Sequence, residues 1–242
     1  MRPYYELSEN SIPMQKYGLA LHTTSPQLGL ALNNFAGDCG NRSVNDQRYQ
    51  TWDLGHELGN QLHLKLLEIM TPQDWQDLGF LAVAIGPGSF TGTRLGVVTA
   101  RTLAQQLDLP LVGISSFAAF AWWWITIQSQ PSGEPGQIIA LQSPAQRGQL
   151  FVGIYQCIKD AQNPLETMLK DTVMTPDAWQ EKLKSLETQF ICLDVPPNLG
   201  MTVTSLLDLA HSELGHSYDP QEDNKFPWSA VLPFYGQHPV EN

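Results

Sequence analysis

The stretch that decides the fold is FLAVAIGPGSFTGTRLGVVTARTLAQQLDLPLVGI, residues 80–114. Its start, Phe80 to Ile85, is a short apolar run of the kind that forms a buried strand. A glycine-rich turn follows, then a segment, 93–107, that we predict to be a helix. Asp108 to Pro110 ends that helix, and LVGI at 111–114 predicts a second strand. The stretch is therefore a strand–helix–strand unit, the building block of an α/β protein.

The chain on either side of this unit continues the alternation of strands and helices. Leu54, Leu58, Leu62 and Leu66 recur at helical spacing, which predicts a helix over 53–70 with Asp53 as its N-cap. Further strands are predicted at 17–21, 28–32, 138–141, 149–158 and 190–193, and further helices at 115–124, from Pro176 onward and at 202–214. The first two strands, joined by His22 to Pro26, predict a hairpin. The fold class is α/β.

The turn itself places three glycines, Gly86, Gly88 and Gly92, between a buried strand and a helix. Such a turn can present free backbone N–H groups to an anion at the positive end of the helix. A P-loop needs glycines five apart followed by lysine, and a dinucleotide fingerprint needs glycine at position 91, where this chain has Thr91. Both motifs fail. The spacing leaves two readings open, a phosphate-binding turn and a turn whose glycines serve only packing.

Composition limits what the chain binds directly. Of 242 residues 42% are hydrophobic and 15% charged, as in a folded protein, and the formal charge is −11. Because nucleic-acid affinity depends mainly on phosphate contacts, tight RNA binding by this chain alone is not expected. The three cysteines, Cys39, Cys157 and Cys192, lie far apart and show no zinc spacing. With no apolar signal segment or membrane span, we expect a cytoplasmic protein.

A stripe of small residues runs along the predicted helix after the turn. Gly96, Ala100 and Ala104 share one face at four-residue spacing. Small residues let another helix approach closely. Spacing alone leaves open whether that neighbour is internal or belongs to another subunit.

The segment GPGSFTGTRLGVVTARTLAQQLDLPLVGISS resembles the signature region of the TsaB (YeaZ) family, which takes part in making threonylcarbamoyladenosine on tRNA. The resemblance extends to LALHTTSPQLGLAL, to the helix over 53–70 and to IIALQSPAQRGQLFVGIY. It covers most of the chain from Tyr17 to Tyr155. It implies the actin-like fold of sugar kinases, Hsp70 and actin, with two related lobes. We accordingly expect a flexible arm at 1–15, a first lobe at 16–127, and a second lobe with a C-terminal tail at 136–242.

By resemblance, the chain is a non-catalytic partner of the catalytic subunit TsaD, in a complex that also recruits the ATPase TsaE and reaches tRNA only as a complex. No cofactor of its own is implied, and ATP or ADP at the surface shared with TsaD is left open, as is a homodimer when the chain is alone. Pairing through first-lobe helices would place the interface at Leu58, Leu62, Arg94, Gly96, Val97, Ala100, Arg101 and Ala104, with the phosphate-loop-like turn at Gly86, Pro87, Gly88, Ser89, Phe90, Thr91 and Gly92.

Two departures from the family pattern support a non-catalytic role. His22 stands where the family commonly has aspartate, and a neutral imidazole cannot replace a carboxylate ligand of Mg²⁺. We expect His22 to be a turn residue hydrogen-bonded to a neighbour. The second-lobe run 143–148 keeps Arg147 before its glycine but lacks the family's acid. The histidine pairs 56/63 and 211/216 lack chelating spacing, so no metal site is predicted and these histidines are expected on the surface.

Two alternatives to the partner function remain at this stage. One is a stand-alone actin-like enzyme that hydrolyses nucleotide, with GPGSFTGT as its phosphate loop. The other is an adaptor with no role in tRNA modification. Trp122, Trp123 and Trp124 are expected to pack in the core or between lobes, and the tail PWSAVLPFYGQHPV is assigned no role.

Overall fold

The computed structural model describes residues 17–35, 47–128, 136–158, 164–217 and 227–236. The expected arm at 1–15, Cys39 and the side chain of His216 therefore lie outside the described parts. Nine strands and five α-helices, joined by short 3-10 turns, make up the described chain. They form two sheets, one from each half of the sequence.

The first sheet contains β1 (Tyr17–His22), β2 (Gln27–Asn34), β3 (Arg48–Asp53), β4 (Leu78–Ala84) and β5 (Leu111–Ile114). Their order is β3-β2-β1-β4-β5. The three strands at one end are antiparallel, as the predicted hairpin requires, and β4 and β5 run parallel to β1. Parallel neighbours need a crossover, and the predicted strand–helix–strand unit supplies it through α2 (Phe90–Leu107).

The second sheet contains β6 (Ile138–Pro144), β7 (Leu150–Cys157), β8 (Leu165–Met174) and β9 (Phe190–Asp194), in the order β8-β7-β6-β9. It again combines an antiparallel meander with one parallel strand. The strands β3 and β8 were missed by the sequence reading, because their polar residues break an apolar run. β8 is a long, partly exposed strand without an alternating apolar pattern, so only its pairing with β7 identifies it as a strand.

Each face of the first sheet has its own core. Leu19, Leu21, Leu30 and Val83 face α1 (Leu58–Met70) and α2, whereas Ala20, Ala31 and Ala82 face the opposite side. There they pack with α3 (Ser116–Gln128), with α5 (Val203–Ser217) and with Ile139, Leu141 and Tyr155 of the second sheet. Alternation along each strand produces both faces. The second core therefore joins the two lobes.

Helix α5 lies in the sequence range expected for the second lobe but packs on β1 and β5 of the first sheet. The division of the chain into lobes at 127 and 136 remains a prediction. The helix α4 (Pro176–Lys184) covers the outer face of the second sheet with Trp179 and Leu183.

Two helix starts and one helix end differ from those predicted. Asp53 ends β3 and caps nothing, because a 3-10 turn at Gly55–Glu57 precedes the start of α1 at Leu58. Helix α2 begins at Phe90, three residues early, since Ser89 caps it by accepting the N–H of Gly92. Helix α3 extends to Gln128. The predicted start of α4 is confirmed, with Thr175 as cap and Pro176 at its first position.

Candidate functional site

The first-lobe hairpin turn packs directly against the glycine turn. Gly88 and Gly92 leave no room for a side chain, because a Cβ atom would lie 2.2 Å from the carbonyl oxygen of Thr24 and 2.1 Å from that of Thr23, respectively. The N–H of Ser89 donates to the Thr24 carbonyl at 2.6 Å, and Thr23 Oγ1 donates to the Gly92 carbonyl at 2.8 Å. The space that a phosphate would need beside the glycines is therefore filled by the chain itself.

The packing explanation of the glycines is the one that the structure favours. Two of the amides that would cradle an anion, those of Ser89 and Gly92, are already engaged by Thr24 and by the Ser89 hydroxyl. The third amide in the helix start, that of Thr93, donates to the Ser89 carbonyl. None of these three amides is free to bind a phosphate. The structure therefore does not support a phosphate-binding role for the predicted turn, which comprises Gly86, Pro87, Gly88, Ser89, Phe90, Thr91 and Gly92.

His22 corrects our expectation of a turn residue with a bonded neighbour. It is the last residue of β1, it is fully buried, and neither of its ring nitrogens has a hydrogen-bond partner among the described residues. Burial lowers the pKa of His22 to about 3, so the ring is neutral at physiological pH. The neighbouring Thr24 hydroxyl pairs with Ser116 at 2.9 Å, and Ser25 Oγ accepts the N–H of Leu199 at 3.1 Å. The hairpin turn thus contacts the glycine turn, the start of α3 and the segment around Leu199.

The small-residue stripe faces inward. Gly96, Ala100 and Ala104 are buried, and a Cβ atom at position 96 would lie 2.0 Å from Thr23 Oγ1. These residues let α2 lie close to its own sheet, so the stripe makes an internal contact, and its place in a partner interface stays a prediction. Three other residues of that prediction, Leu58, Leu62 and Val97, are likewise buried within the chain.

The outer faces of α1 and α2 carry apolar side chains that the fold does not use. Leu64 and Leu67 of α1 are 49% and 54% exposed, and Val98 of α2 is 61% exposed. Arg94 is also exposed, but its Nε donates to Tyr235 Oη at 2.8 Å and its guanidinium lies 4.0 Å from the ring centre of Phe90. Arg101 lies over the ring of Trp228. The two predicted interface arginines therefore hold the C-terminal segment.

The C-terminal segment, Pro227–Gly236, runs from the first lobe to the second. The N–H of Phe234 donates to the Ile85 carbonyl at 2.7 Å, and its ring lies against Phe151 of β7, with centroids 6.5 Å apart. The tail, to which the sequence assigned no role, therefore packs across both lobes.

A cluster of three polar side chains joins the two lobes. Asp171 of β8 accepts hydrogen bonds from the hydroxyl of Tyr155 on β7, at 2.5 Å, and from the hydroxyl of Ser115 in the first lobe. Ser115 Oγ also accepts the N–H groups of Phe117 and Ala118, so it caps α3. Burial raises the pKa of Asp171 to about 6, although both hydroxyls partly counter the shift. Burial and the neighbouring Asp171 raise the pKa of Tyr155.

Sequence reading missed this cluster because its members come from three strands or strand ends and have no common spacing. Asp171 gives no sequence signal of its own, because it lies in β8, a polar strand that also contains Glu166 and that the sequence did not predict. The other predictions fare differently: Trp122, Trp123 and Trp124 are half-buried against the core that joins the lobes, as expected. His56 and His63 are exposed, but His211 is half-buried and stacks on Phe35 at 4.1 Å.

The residues that the structure describes contain no group of three or more His, Cys, Asp or Glu side chains placed to hold a metal ion. They also include no helix long and apolar enough to cross a bilayer. The run 143–148 that departs from the family pattern covers the end of β6 and the turn before β7, with Arg147 in the left-handed region.

Fold and site together define an actin-like α/β protein of two joined lobes, in which the hairpin has closed on the glycine turn. Comparison with known proteins identifies the family within this class. The model of the family described as "TsaD: tRNA N6-adenosine threonylcarbamoyltransferase" matches residues 68–188. The chain belongs to this family, and to its TsaB (YeaZ) group.

The individual relatives support this assignment. The chain is 37% identical over 122 residues to the tRNA threonylcarbamoyladenosine biosynthesis protein TsaB of Bacillus subtilis, covering 49% of this chain and 47% of the relative. It is 28% identical over 118 residues to TsaB of Escherichia coli, covering 48% and 46%. The chain thus spans about half the length of the curated relatives it matches. YeaZ from Pseudomonas aeruginosa shares its fold, with a TM-score of 0.66, 17% identity, and coverage of 91% and 99%.

Proposed function

We propose that this chain is the non-catalytic, TsaB-type subunit of a complex that forms N6-threonylcarbamoyladenosine next to the anticodon of tRNA. The observation that carries the proposal is the family match over 68–188, together with relatives that are named as threonylcarbamoyladenosine biosynthesis proteins. In this complex a TsaD-type subunit performs the transfer. With a formal charge of −11, this chain reaches tRNA through its partners.

The closed hairpin supports a role without catalysis. Actin-like phosphotransferases hold a metal-bound phosphate beside this hairpin, and here the place of the acid is taken by His22, which is buried and neutral. A neutral imidazole offers no negative charge to a hard cation. The backbone of Thr23 and Thr24 also fills the space beside Gly88 and Gly92. These contacts disfavour the alternative of a stand-alone nucleotide-hydrolysing enzyme.

The outer face of α1 and α2 is the surface that we assign to the TsaD-type partner. Leu64, Leu67 and Val98 are aliphatic, exposed over about half of their surface or more, and lie on the two helices that cover one side of the first sheet. An apolar surface of this kind gains free energy when a partner covers it. A TsaE-type ATPase, and ATP or ADP at the surface shared with TsaD, belong to the same proposal. A homodimer would use this face when the partner is absent.

The test is co-purification with the TsaD-type protein of the same organism, using Val98→Asp and Leu67→Asp. Both side chains are exposed, so the variants should fold, and each should weaken binding at least tenfold because a charge would be buried at the interface. Met168→Asp on β8, at an equally exposed methionine far along the sequence, is the matched control and should bind as wild type does. The buried Ala100 is unsuitable for this test, since a large residue there would disturb the fold itself.

Failure of the wild-type chain to bind the TsaD-type protein would contradict the proposal. Hydrolysis of Mg-ATP by the isolated chain, lost on Gly88→Val, would instead favour the enzyme alternative. If binding is intact but the chain does not restore threonylcarbamoyladenosine in TsaB-depleted cells, the chain is an adaptor with another role.

A further inference from the structure

A cleft of about 610 Å³ lies between the lobes. Its walls are mainly apolar and come from β5, α3, α5, β8 and the C-terminal segment, with Ile114, Ala118, Leu165, Leu209 and Phe234 among them. Its polar groups include Ser115, Tyr155 and Asp171. A cleft of this size, apolar with a few converging polar groups, is typical of small-molecule sites.

The carboxylate of Asp171 is held in one position from both lobes. Tyr155 donates to Oδ1 and Ser115 to Oδ2, so each oxygen keeps a further lone pair for a ligand. Gly153 on β7 makes the room, because a Cβ atom there would lie 2.7 Å from Asp171 Oδ1. The acid therefore lines the cleft as a pre-oriented hydrogen-bond acceptor.

The charged groups that face the cleft are Asp171, Glu213 of α5 and Lys170 of β8, beside the neutral phenol of Tyr155. Within the described residues, neither Glu213 nor Lys170 forms an ion pair. Two carboxylates against one exposed ammonium give the cleft a net negative charge. Burial raises the pKa of Asp171 and of Glu213, because their ionised forms lose hydration. A cationic ligand would stabilise the ionised carboxylates.

We propose that this cleft binds a small organic cation, an amine or amidine on an apolar body, with the cationic group on Asp171 and the body against Ala118, Leu209 and Phe234. This assignment is independent of the function proposed above. A planar amidinium places two N–H donors on one carboxylate, the geometry that makes such pairs strong. A polyphosphate would meet two carboxylates and is excluded by repulsion.

Three probes with the same ring separate charge from shape: benzamidine is cationic, benzamide neutral and benzoate anionic. Binding to the full chain is measured at pH 7.5 by isothermal titration calorimetry and by chemical shifts of the backbone amides. Benzamidine should bind at least tenfold more tightly than benzamide, and benzoate should not bind. Equal binding of all three, or none by benzamidine at millimolar concentration, would overturn the proposal.

Asp171→Asn keeps the shape and removes the charge, and should weaken benzamidine binding at least tenfold. The matched control is Asp194→Asn at an exposed acid of β9, which should bind as wild type. Circular dichroism establishes that both variants fold. Undiminished binding to a folded Asp171→Asn variant would place the probe elsewhere and contradict the assignment.

The pH dependence gives a second readout. With a pKa of about 6, Asp171 is mostly ionised at pH 7 and mostly protonated at pH 5. Benzamidine affinity should therefore fall about tenfold between these values. Affinity that stays constant over this range would show that the cation does not contact this acid.

Discussion

At the scale of single residues, some glycines lie where two backbone segments come into contact. Gly92 brings α2 within contact of the hairpin turn, and any side chain there would collide with a carbonyl oxygen that cannot swing away. Gly59 of α1, by contrast, has nothing within 4 Å of its added Cβ atom. The two glycines are therefore a matched pair for separating close approach from helix propensity.

Gly92→Ala should lower the free energy of unfolding by about 1–3 kcal/mol, because overpacking forces the backbone to shift. Gly59→Ala should leave it unchanged or raise it by up to about 1 kcal/mol, since alanine favours the helix. Urea denaturation followed by circular dichroism measures both. Equal effects at the two positions would mean that the hairpin contact at Gly92 contributes nothing to stability.

His22 makes the fold sensitive to acid. Its folded pKa of about 3 lies below that of a histidine in an unfolded chain, near 6.5, so the unfolded state binds the proton more readily. The stability that depends on a neutral ring is present above pH 6.5 and is lost as pH falls toward 3. Compared with His22→Leu, the wild type should lose about 3 kcal/mol between pH 6.5 and pH 4. Parallel stability curves for the two proteins would contradict this expectation.

Asp171 acts in the opposite direction. Its folded pKa, about 6, is raised above the ordinary aspartate value of 3.8, so protonation favours the folded state. The stability that this provides is full below pH 4 and is lost as pH rises through 6. Relative to Asp171→Asn, the wild type should lose up to about 3 kcal/mol between pH 4 and pH 7. Stability curves of the Asn variant and wild type with a constant difference over that range would rule out the raised pKa.

At the scale of elements, α4 shows a helix start that local sequence determines. Thr175 Oγ1 accepts the N–H of Ala178 at 3.3 Å, and Thr175 is exposed with this cap as the role of its side chain. Thr175→Ala should cost about 1 kcal/mol, the usual value for a lost cap. Gln180→Ala, an exposed change within the same helix, should be neutral and serves as the control in the same denaturation experiment. A neutral Thr175→Ala would show that Pro176 alone defines this start.

Helix α2 shows the limit of reading elements by pattern. The sequence correctly placed Gly96, Ala100 and Ala104 on one face of the helix. Periodicity does not say, however, which face of a helix packs on the sheet. The sheet occupies the small face, because only there can the helix approach Thr23 closely. The partner that we propose for α2 would therefore contact the opposite face, on which Val98 lies.

At the scale of the whole molecule, three features tie the lobes together: the core shared by the two sheets, the hydrogen bond from Ser115 to Asp171, and the C-terminal segment. The last of these is joined to the first lobe at Ile85 and to the second at Phe151. The segment thus stabilises one arrangement of the lobes.

Phe234→Ala should lower the free energy of unfolding by about 1–3 kcal/mol, less than for a fully buried ring because Phe234 is half-buried. Leu232→Ala, two residues away but 61% exposed, is the control and should change it little. Thermal unfolding of the two variants decides the matter. Equal melting temperatures would mean that the segment does not hold the lobes.

The sequence by itself determined the α/β class, most strands and helices, the first hairpin and the family, because these depend on local periodicity, turn residues and a long specific motif. Tertiary structure alone decided the burial of His22, the inward direction of the Gly96 stripe and the meeting of Ser115, Tyr155 and Asp171. Each of these depends on the register of strands and on contacts between residues far apart in the chain. Such contacts leave no periodic trace in the sequence.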